Sequence, residues 1–136
     1  MDTATGIKKP YILMIEDDDF LTRMYEMKFS ALGIGLKVIS DGKKAMNLLR
    51  DETVEPPSLI LLDLMLPFAS GFQILDKIKK TPGWEQVPVI VVSNLGQDAD
   101  IQKALRLGAK EYFIKGNTAL SEMIERILKY INPVTK

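Results

Sequence analysis

Acidic, hydroxyl and ammonium side chains follow apolar runs at four places in the sequence. Asp63 comes directly after Leu59-Ile60-Leu61-Leu62, and Glu16-Asp17, Ser93 and Lys115 each follow a different apolar run. A carboxylate at the end of a buried strand is costly unless it has partners, so packing alone does not explain Asp63. Three carboxylates, one hydroxyl and one ammonium group, if brought together, would form a site for a divalent cation and a phosphoryl group.

The residue types that the chain lacks restrict this chemistry. There is no cysteine and no histidine, so thiolate or imidazole ligands and nucleophiles are excluded. Carboxylate oxygens suit Mg²⁺, which takes few protein carboxylates and keeps several waters. A carboxylate can also attack phosphorus and form an acyl phosphate, whose charge a metal ion and Lys115 would share.

Five apolar segments of strand length alternate with five segments whose apolar residues recur at helical spacing. This alternation is typical of a parallel sheet covered by helices. Asp18 or Asp19 can cap the first helix, Asp41 the second, and Ser70 with Gln73 has the form of a capping box for the third. The predicted strands are 11–15, 36–39, 59–62, 87–92 and 111–114. The apolar residues at helical spacing are Phe20, Met24, Met27 and Ala31, then Ala45, Leu48 and Leu49, then Phe72, Leu75 and Ile78, then Ile101, Ala104 and Leu105, and Leu120, Ile124, Ile127 and Ile131 in a last helix over residues 118–131.

Strand polarity predicts the order of the sheet. Strands 1, 3 and 4 are apolar throughout, whereas strands 2 and 5 carry Lys37 and Glu111, which favours the first three in the middle. The order 2-1-3-4-5 satisfies this. It predicts an α/β fold, a doubly wound, flavodoxin-like five-stranded parallel sheet with five helices. Strands 1, 3, 4 and 5 then bring the acids, the hydroxyl and the lysine to one rim.

Composition limits the class of protein. The chain has 136 residues, enough for one domain, and 18 basic residues balance 18 acidic ones, unlike a chain that binds nucleic acid through its overall charge. Residues 1–9 lack the apolar core of a signal peptide, and no apolar run approaches the ~20 residues of a membrane span. We expect a cytoplasmic protein that contacts neither membrane nor nucleic acid directly. We expect a flexible N-terminal segment at 1–9, a domain at 10–132 and a tail at 133–136.

Each feature also has a simpler explanation. The acids from Glu16 to Asp19 can serve only as the acidic N-terminus of a helix. Ser93 can be a loop hydroxyl, Lys115 a solvated charge, and Tyr112 an amphipathic edge residue. Their coincidence at one rim favours a functional site.

Over essentially its whole length the chain resembles the receiver domains of two-component response regulators. The resemblance rests on an apolar strand ending in paired acids, Ile15-Glu16-Asp17, and on Asp63-Leu64-Met65-Leu66-Pro67-Phe68-Ala69-Ser70-Gly71, which has the family's spacing of aspartate, proline and glycine. Ser93, Tyr112 and Lys115 match further positions of the family.

The resemblance implies a role for each matched residue. Asp63 would be phosphorylated in a Mg²⁺-dependent step, Lys115 would pair with the phosphoryl group, and Ser93 would swing to hydrogen-bond it. Tyr112 would change orientation on the face made by the fourth helix, fifth strand and fifth helix.

The resemblance also implies the metal ligands. Asp17 would be the main ligand and Glu16 would assist through water or a second contact. Asp63 and the backbone carbonyl of Met65 would complete the protein's part of the coordination shell.

The implied function is that of a stand-alone receiver that catalyses only its own phosphorylation and dephosphorylation. A histidine kinase or phosphotransfer protein would supply the phosphoryl group, and an unknown downstream protein would bind the changed face of a monomer or weak phosphorylation-dependent dimer. One alternative is a pseudo-receiver that acts as a structural or dimerisation module. An aspartyl-phosphate hydrolase would need a second carboxylate where Met65 stands, and a flavin-binding protein would need glycines and hydroxyls after strand 1.

Two positions near the site bear on its behaviour. Gly116 replaces the proline that usually follows the family's lysine, so a trans Lys115–Gly116 peptide is predicted. Met65 and Leu95 are apolar at positions that flank the phosphoryl group in the family, which predicts a long-lived phosphorylated state.

Overall fold

The computed structural model describes residues 11–131 and contains five strands that alternate with five helices. The predicted segment 1–9, residues 10 and 132, and the tail 133–136 lie outside the described residues. The elements are β1 (Tyr11–Ile15), α1 (Asp19–Ala31), β2 (Gly35–Ile39), α2 (Gly42–Arg50), β3 (Leu59–Leu62), α3 (Gly71–Lys79), β4 (Val89–Ser93), α4 (Asp98–Arg106), β5 (Glu111–Ile114) and α5 (Leu120–Ile131).

The strands form one parallel sheet in the order β2-β1-β3-β4-β5, which confirms the predicted order and fold class. β1 is an interior strand, since Ile15 is aligned with Ile39 of β2 on one side and with Leu62 of β3 on the other. Because all strands run the same way, their carboxyl ends share one edge of the sheet, where open α/β folds bind ligands. No helix within residues 11–131 is long and apolar enough to cross a membrane.

The sheet separates two apolar clusters, as expected for a parallel sheet covered on both faces. Alternate residues of β1, β3 and β4 contribute to opposite clusters, because successive side chains of a strand point to opposite faces. One cluster joins the sheet to α2, α3 and α4 through residues such as Ala45, Leu49, Ile74, Leu75, Ile78 and Ala104. The other joins it to α1 and α5 through Tyr25, Phe29, Met123, Ile124 and Ile127.

Caps begin three of the helices where the sequence indicates. The side chain of Asp18 accepts a hydrogen bond from the Leu21 amide at the start of α1, and Asp41 begins α2 in the same way. Ser70 and Gln73 form the predicted capping box of α3. The helix therefore begins at Gly71, directly after the loop that leaves β3.

The apolar residues at helical spacing in α1 do not all lie on its buried face. Phe20 and Met27 have 70% and 73% of their surface exposed, and the buried residues are instead Thr22, Tyr25 and Phe29. The helix carries two apolar stripes, and the one that contains Tyr25 and Phe29 packs on the sheet. Leu105 of α4 is also 39% exposed, whereas Ala104 beside it is buried.

Gly71 allows α3 to begin close to the end of β3. A Cβ at this position would lie 2.5 Å from the carbonyl oxygen of Asp63 and would also contact the main chain of Leu64. The Gly71 amide donates to the Leu64 carbonyl at 3.0 Å, so this close approach is part of the loop's hydrogen bonding.

We predict that Gly71→Ala lowers the free energy of unfolding, because the added methyl group meets backbone that cannot move aside without disturbing Asp63. The expected loss, about 1–3 kcal/mol, can be measured by urea denaturation. Gly96→Ala is the matched control, since a Cβ there would make its nearest contact at 3.4 Å with the flexible end of Ile114. Equal losses in both variants would contradict a specific steric role for Gly71.

Candidate phosphoacceptor and metal site

The predicted site residues meet at the carboxyl edge of the sheet. Glu16 follows β1, Asp63 follows β3, Ser93 ends β4, and Lys115 follows β5. Glu16, Asp63 and Ser93 are buried, with 2%, 4% and 0% of their surface exposed, whereas Asp17 is exposed. The structure therefore brings together the side chains that the sequence predicts, while their chemical roles stay predictions.

Lys115 holds the two buried carboxylates together. Its Nζ lies 2.9 Å from Glu16 Oε1 and 3.0 Å from Asp63 Oδ2. Backbone amides also donate to both carboxylates, Asp18 to Glu16 Oε2 at 3.1 Å and Met65 to Asp63 Oδ1 at 3.1 Å. Each buried carboxylate thus has both a cationic and an amide partner, which is what burial of charge requires.

The three acids form a group that can bind a divalent cation. Glu16, Asp17 and Asp63 each offer a carboxylate oxygen, and these oxygens lie within 4.8 Å of one another. A set of hard oxygen donors, one of them exposed, fits Mg²⁺ or a similar ion that retains several waters.

Burial and charge have opposing effects on the pKa values of Glu16 and Lys115. Burial raises the pKa of Glu16 to about 7, although its hydrogen bond to Lys115 opposes the shift. Burial would lower the pKa of Lys115, but its bonds to Glu16 and Asp63 outweigh this and raise it. The lysine therefore stays protonated while Glu16 can exchange a proton near neutral pH.

Ser93 and Tyr112 are linked through the loop after β4. Ser93 Oγ accepts a hydrogen bond of 3.3 Å from the Leu95 amide, and the Tyr112 hydroxyl donates to the Leu95 carbonyl at 2.6 Å. The side chains of Tyr112 and Leu95 are partly buried against the core. A movement of Ser93 would thus act on the residue that also anchors Tyr112.

The backbone beside Lys115 confirms one prediction. The Lys115–Gly116 peptide is trans, and Gly116 has φ +87°, a conformation suited to glycine. The Lys115 amide donates to the Ser93 carbonyl at 2.8 Å, which ties the loop to β4.

Phe68 has no role that the sequence predicts. This residue lies in the loop between β3 and α3, is 83% exposed, and has φ +73°. The sequence does contain one indication of a role for this residue. A large aromatic side chain follows Pro67 in a turn, five residues after Asp63, and packing does not explain its size.

Comparison with known proteins agrees with this geometry. The family model described as the response regulator receiver domain matches residues 12–128. The chain is 33% identical over 106 residues to the transcriptional regulatory protein AfsQ1 of Streptomyces coelicolor, an alignment that covers 78% of this chain and 44% of that protein. It is 32% identical over 122 residues to the regulator of RpoS of Escherichia coli K12, with coverage of 90% and 35%. The chain thus spans less than half the length of these curated relatives.

Two solved structures share the fold over nearly their whole length. The phosphorylated cyanobacterial phytochrome response regulator RcpA has a TM-score of 0.84 and 26% identity, covering 95% of this chain and 98% of that chain. The Mn²⁺-bound form of response regulator Rcp1 has a TM-score of 0.80 and 29% identity, covering 93% and 97%. The five-stranded parallel sheet and the acidic site of this chain agree with the family match over residues 12–128. The chain belongs to the response regulator receiver domain family.

Proposed function

We propose that Asp63 accepts a phosphoryl group from phosphohistidine on a histidine kinase or phosphotransfer protein. The observation that carries the proposal is the placement of a buried carboxylate beside Lys115 and within reach of two further acids. The new bond joins a carboxylate oxygen of Asp63 to phosphorus, and the bond from phosphorus to the donor's nitrogen breaks. The leaving imidazole recovers its proton from solvent.

The residues around Asp63 support this transfer. Glu16, Asp17, Asp63 and the backbone carbonyl of Met65 would hold a divalent cation, which when bound neutralises part of the phosphoryl charge. Lys115 already contacts Asp63 at 3.0 Å and so is placed to pair with an oxygen of the phosphoryl group. RcpA is described as phosphorylated and Rcp1 as Mn²⁺-bound, which agrees with both parts of the proposal.

The phosphorylated state changes the face formed by α4, β5 and α5. Ser93 would hydrogen-bond the phosphoryl group, and this movement competes with its contact to the Leu95 amide. Tyr112, which donates to the Leu95 carbonyl, would then change its position on that face. A downstream protein that binds the changed face would receive the signal. The buried, fully partnered Asp63 disfavours the alternative of a pseudo-receiver, because a module without this chemistry would not need a costly carboxylate there.

The proposal predicts that one phosphoryl group is added by phosphoramidate in the presence of Mg²⁺ and none after chelation of the metal. Intact-mass spectrometry measures the product. Asp63→Asn should remain unlabelled, because an amide is not a nucleophile, and Asp76→Asn, which changes a partly exposed aspartate of α3, should be labelled normally. Labelling of Asp63→Asn at the parental level would contradict the assignment.

A second prediction concerns the pH dependence of metal binding. Because burial raises the pKa of Glu16 to about 7, Glu16 is largely protonated at pH 6, and a metal ligand must be deprotonated. Mg²⁺ should therefore bind about tenfold more tightly at pH 8 than at pH 6, as measured by isothermal titration calorimetry. Glu16→Gln should lose most of this dependence. If the Mg²⁺ affinity of Glu16→Gln still depends on pH as in the parental chain, a group other than Glu16 controls that dependence.

A third prediction concerns the lifetime of the phosphorylated state. Hydrolysis requires a water positioned in line with the phosphorus, and neither Met65 nor Leu95 carries a side chain that can orient it. We expect phosphate to be lost slowly. Intact-mass spectrometry after removal of the donor measures the rate of this loss. The double variant Met65→Asn and Leu95→Glu should lose phosphate faster with saturating Mg²⁺. If the double variant loses phosphate at the parental rate or more slowly, the ability of these two side chains to position water does not set the lifetime.

A further inference from the structure

The core of the domain holds α4 less firmly than the other helices within residues 11–131. In Asp98–Arg106 only Ala104 is buried, whereas each of the other four helices buries at least three residues. The first turn of α4 also lacks a side-chain cap, because Gln97 at the N-cap position forms no such hydrogen bond. A helix with few buried contacts shifts at a low cost in free energy. Contacts at the surface of α4 therefore have a large influence on its position.

The two ends of α4 are attached in different ways. Directly after the helix, the Lys110 amide donates to the Val89 carbonyl of β4 at 2.8 Å. Before the helix, the Leu95 amide donates to Ser93 Oγ at 3.3 Å, and the Leu95 carbonyl accepts from the Tyr112 hydroxyl. A movement of Ser93 therefore displaces the N-terminal end of α4 while its C-terminal end stays tied to the sheet.

One side-chain contact joins the middle of α4 to the segment that follows Asp63. Lys103 Nζ lies over the Phe72 ring of α3, 4.3 Å from the ring centroid, which is the geometry of a cation–π interaction. Phe72 directly follows Gly71, whose amide donates to the Leu64 carbonyl beside Asp63. The Phe72 ring is partly buried against the core, whereas Lys103 is exposed. The contact thus connects α4 to the phosphoacceptor loop by a route separate from the loop after β4.

Lys103 and Arg106 are both in the last turn of α4, where the helix dipole alone favours positive charge. The dipole does not account for the position of the Lys103 side chain over a ring. Within residues 11–131, the only other cation placed over an aromatic ring is that of Arg126 in α5. Arg106 therefore offers a comparison in which the charge is the same and the ring contact is missing.

We propose that Lys103 is a positioning residue, whose contact with Phe72 holds α4 in the position that the structure describes. In this position Ser93 bonds to the Leu95 amide. When Ser93 moves toward a phosphoryl group, α4 shifts and Lys103 leaves the ring, so the contact opposes the change. A contact that is made in only one of two arrangements favours that arrangement. The inference rests on the proposed function, since it concerns how phosphorylation of Asp63 reaches α4.

The test measures the affinity for beryllofluoride, an analogue of the phosphoryl group, at saturating Mg²⁺. NMR titration of the amide signals in the loop after β3 gives this affinity for each variant. Lys103→Met removes the cation and keeps a side chain of similar length, while Lys103→Arg keeps a cation that can lie over the ring. Arg106→Met is the matched control, since it removes the same charge from the same turn of α4.

Lys103→Met should bind beryllofluoride about two- to fivefold more tightly than the parental chain, because it loses a contact that opposes the bound arrangement. Lys103→Arg and Arg106→Met should retain the parental affinity. Phe72→Leu should also bind more tightly, and the addition of Lys103→Met to it should have no further effect, as a double-mutant cycle measures.

A second measurement needs no phosphoryl analogue. In the absence of beryllofluoride, amide hydrogen exchange followed by mass spectrometry should be faster in α4 of Lys103→Met than in α4 of the parental chain. Exchange in α3 should be unchanged, because its buried residues hold it on the sheet. Unchanged exchange in α4 would contradict a role of Lys103 in holding this helix.

The outcomes separate the two proposals. If beryllofluoride does not bind the parental chain, the proposed function is contradicted, and hydrogen exchange still decides whether Lys103 holds α4. If it binds, and Lys103→Met has the parental affinity or a lower one, the inference is overturned. It is also overturned if Lys103→Met and Arg106→Met have equal effects, or if Lys103→Met has its full effect in the Phe72→Leu background.

Discussion

The ion pairs of Lys115 with Glu16 and Asp63 are the interaction on which the site depends. Two carboxylates that are almost fully buried would repel one another and lose their hydration, and the lysine ammonium, 2.9 and 3.0 Å away, offsets both costs. The offset is incomplete, because the pKa of Glu16 still rises to about 7. The acids therefore remain short of positive charge. A bound divalent cation would supply that charge. The excess of negative charge that destabilises the site without a metal therefore favours metal binding.

The parallel sheet makes this arrangement possible. Glu16, Asp63 and Lys115 are far apart in sequence and meet because β1, β3 and β5 end at the same edge, with Ser93 of β4 between them. Each strand beneath them is held by apolar residues on both faces, so the ends of the strands are fixed by the core rather than by the charges. The charged groups are thus preorganised, which is the condition for electrostatic stabilisation of a transferring phosphoryl group.

The strand order and the position of the acidic site could be predicted, because the burial of each strand determines which residue types it contains. Lys37 and Glu111 marked the two edge strands, and a carboxylate after four apolar residues marked the site. The orientation of α1 could not be obtained in this way, since the helix has apolar residues on two faces. Only the folded structure shows that Tyr25 and Phe29 pack inward, where the Tyr25 hydroxyl donates to Met123 Sδ at 3.4 Å. The left-handed backbone of Phe68 was equally hidden, because a phenylalanine does not predict a positive φ.

The loop that carries Phe68 shows how the fold maintains a conformation that its own residues do not favour. Its far end is fixed where the Gly71 amide bonds to the Leu64 carbonyl, and its middle where the Gly42 amide of α2 bonds to the Pro67 carbonyl at 2.9 Å. Gly42 has no Cβ, and a Cβ there would collide with Ala69, so α2 supports the loop by direct backbone contact. Strain at Phe68 is therefore held by two neighbouring helices that begin with glycine. Because the same loop positions the Met65 amide on Asp63, the exposed aromatic ring and the buried phosphoacceptor are held by one set of backbone contacts.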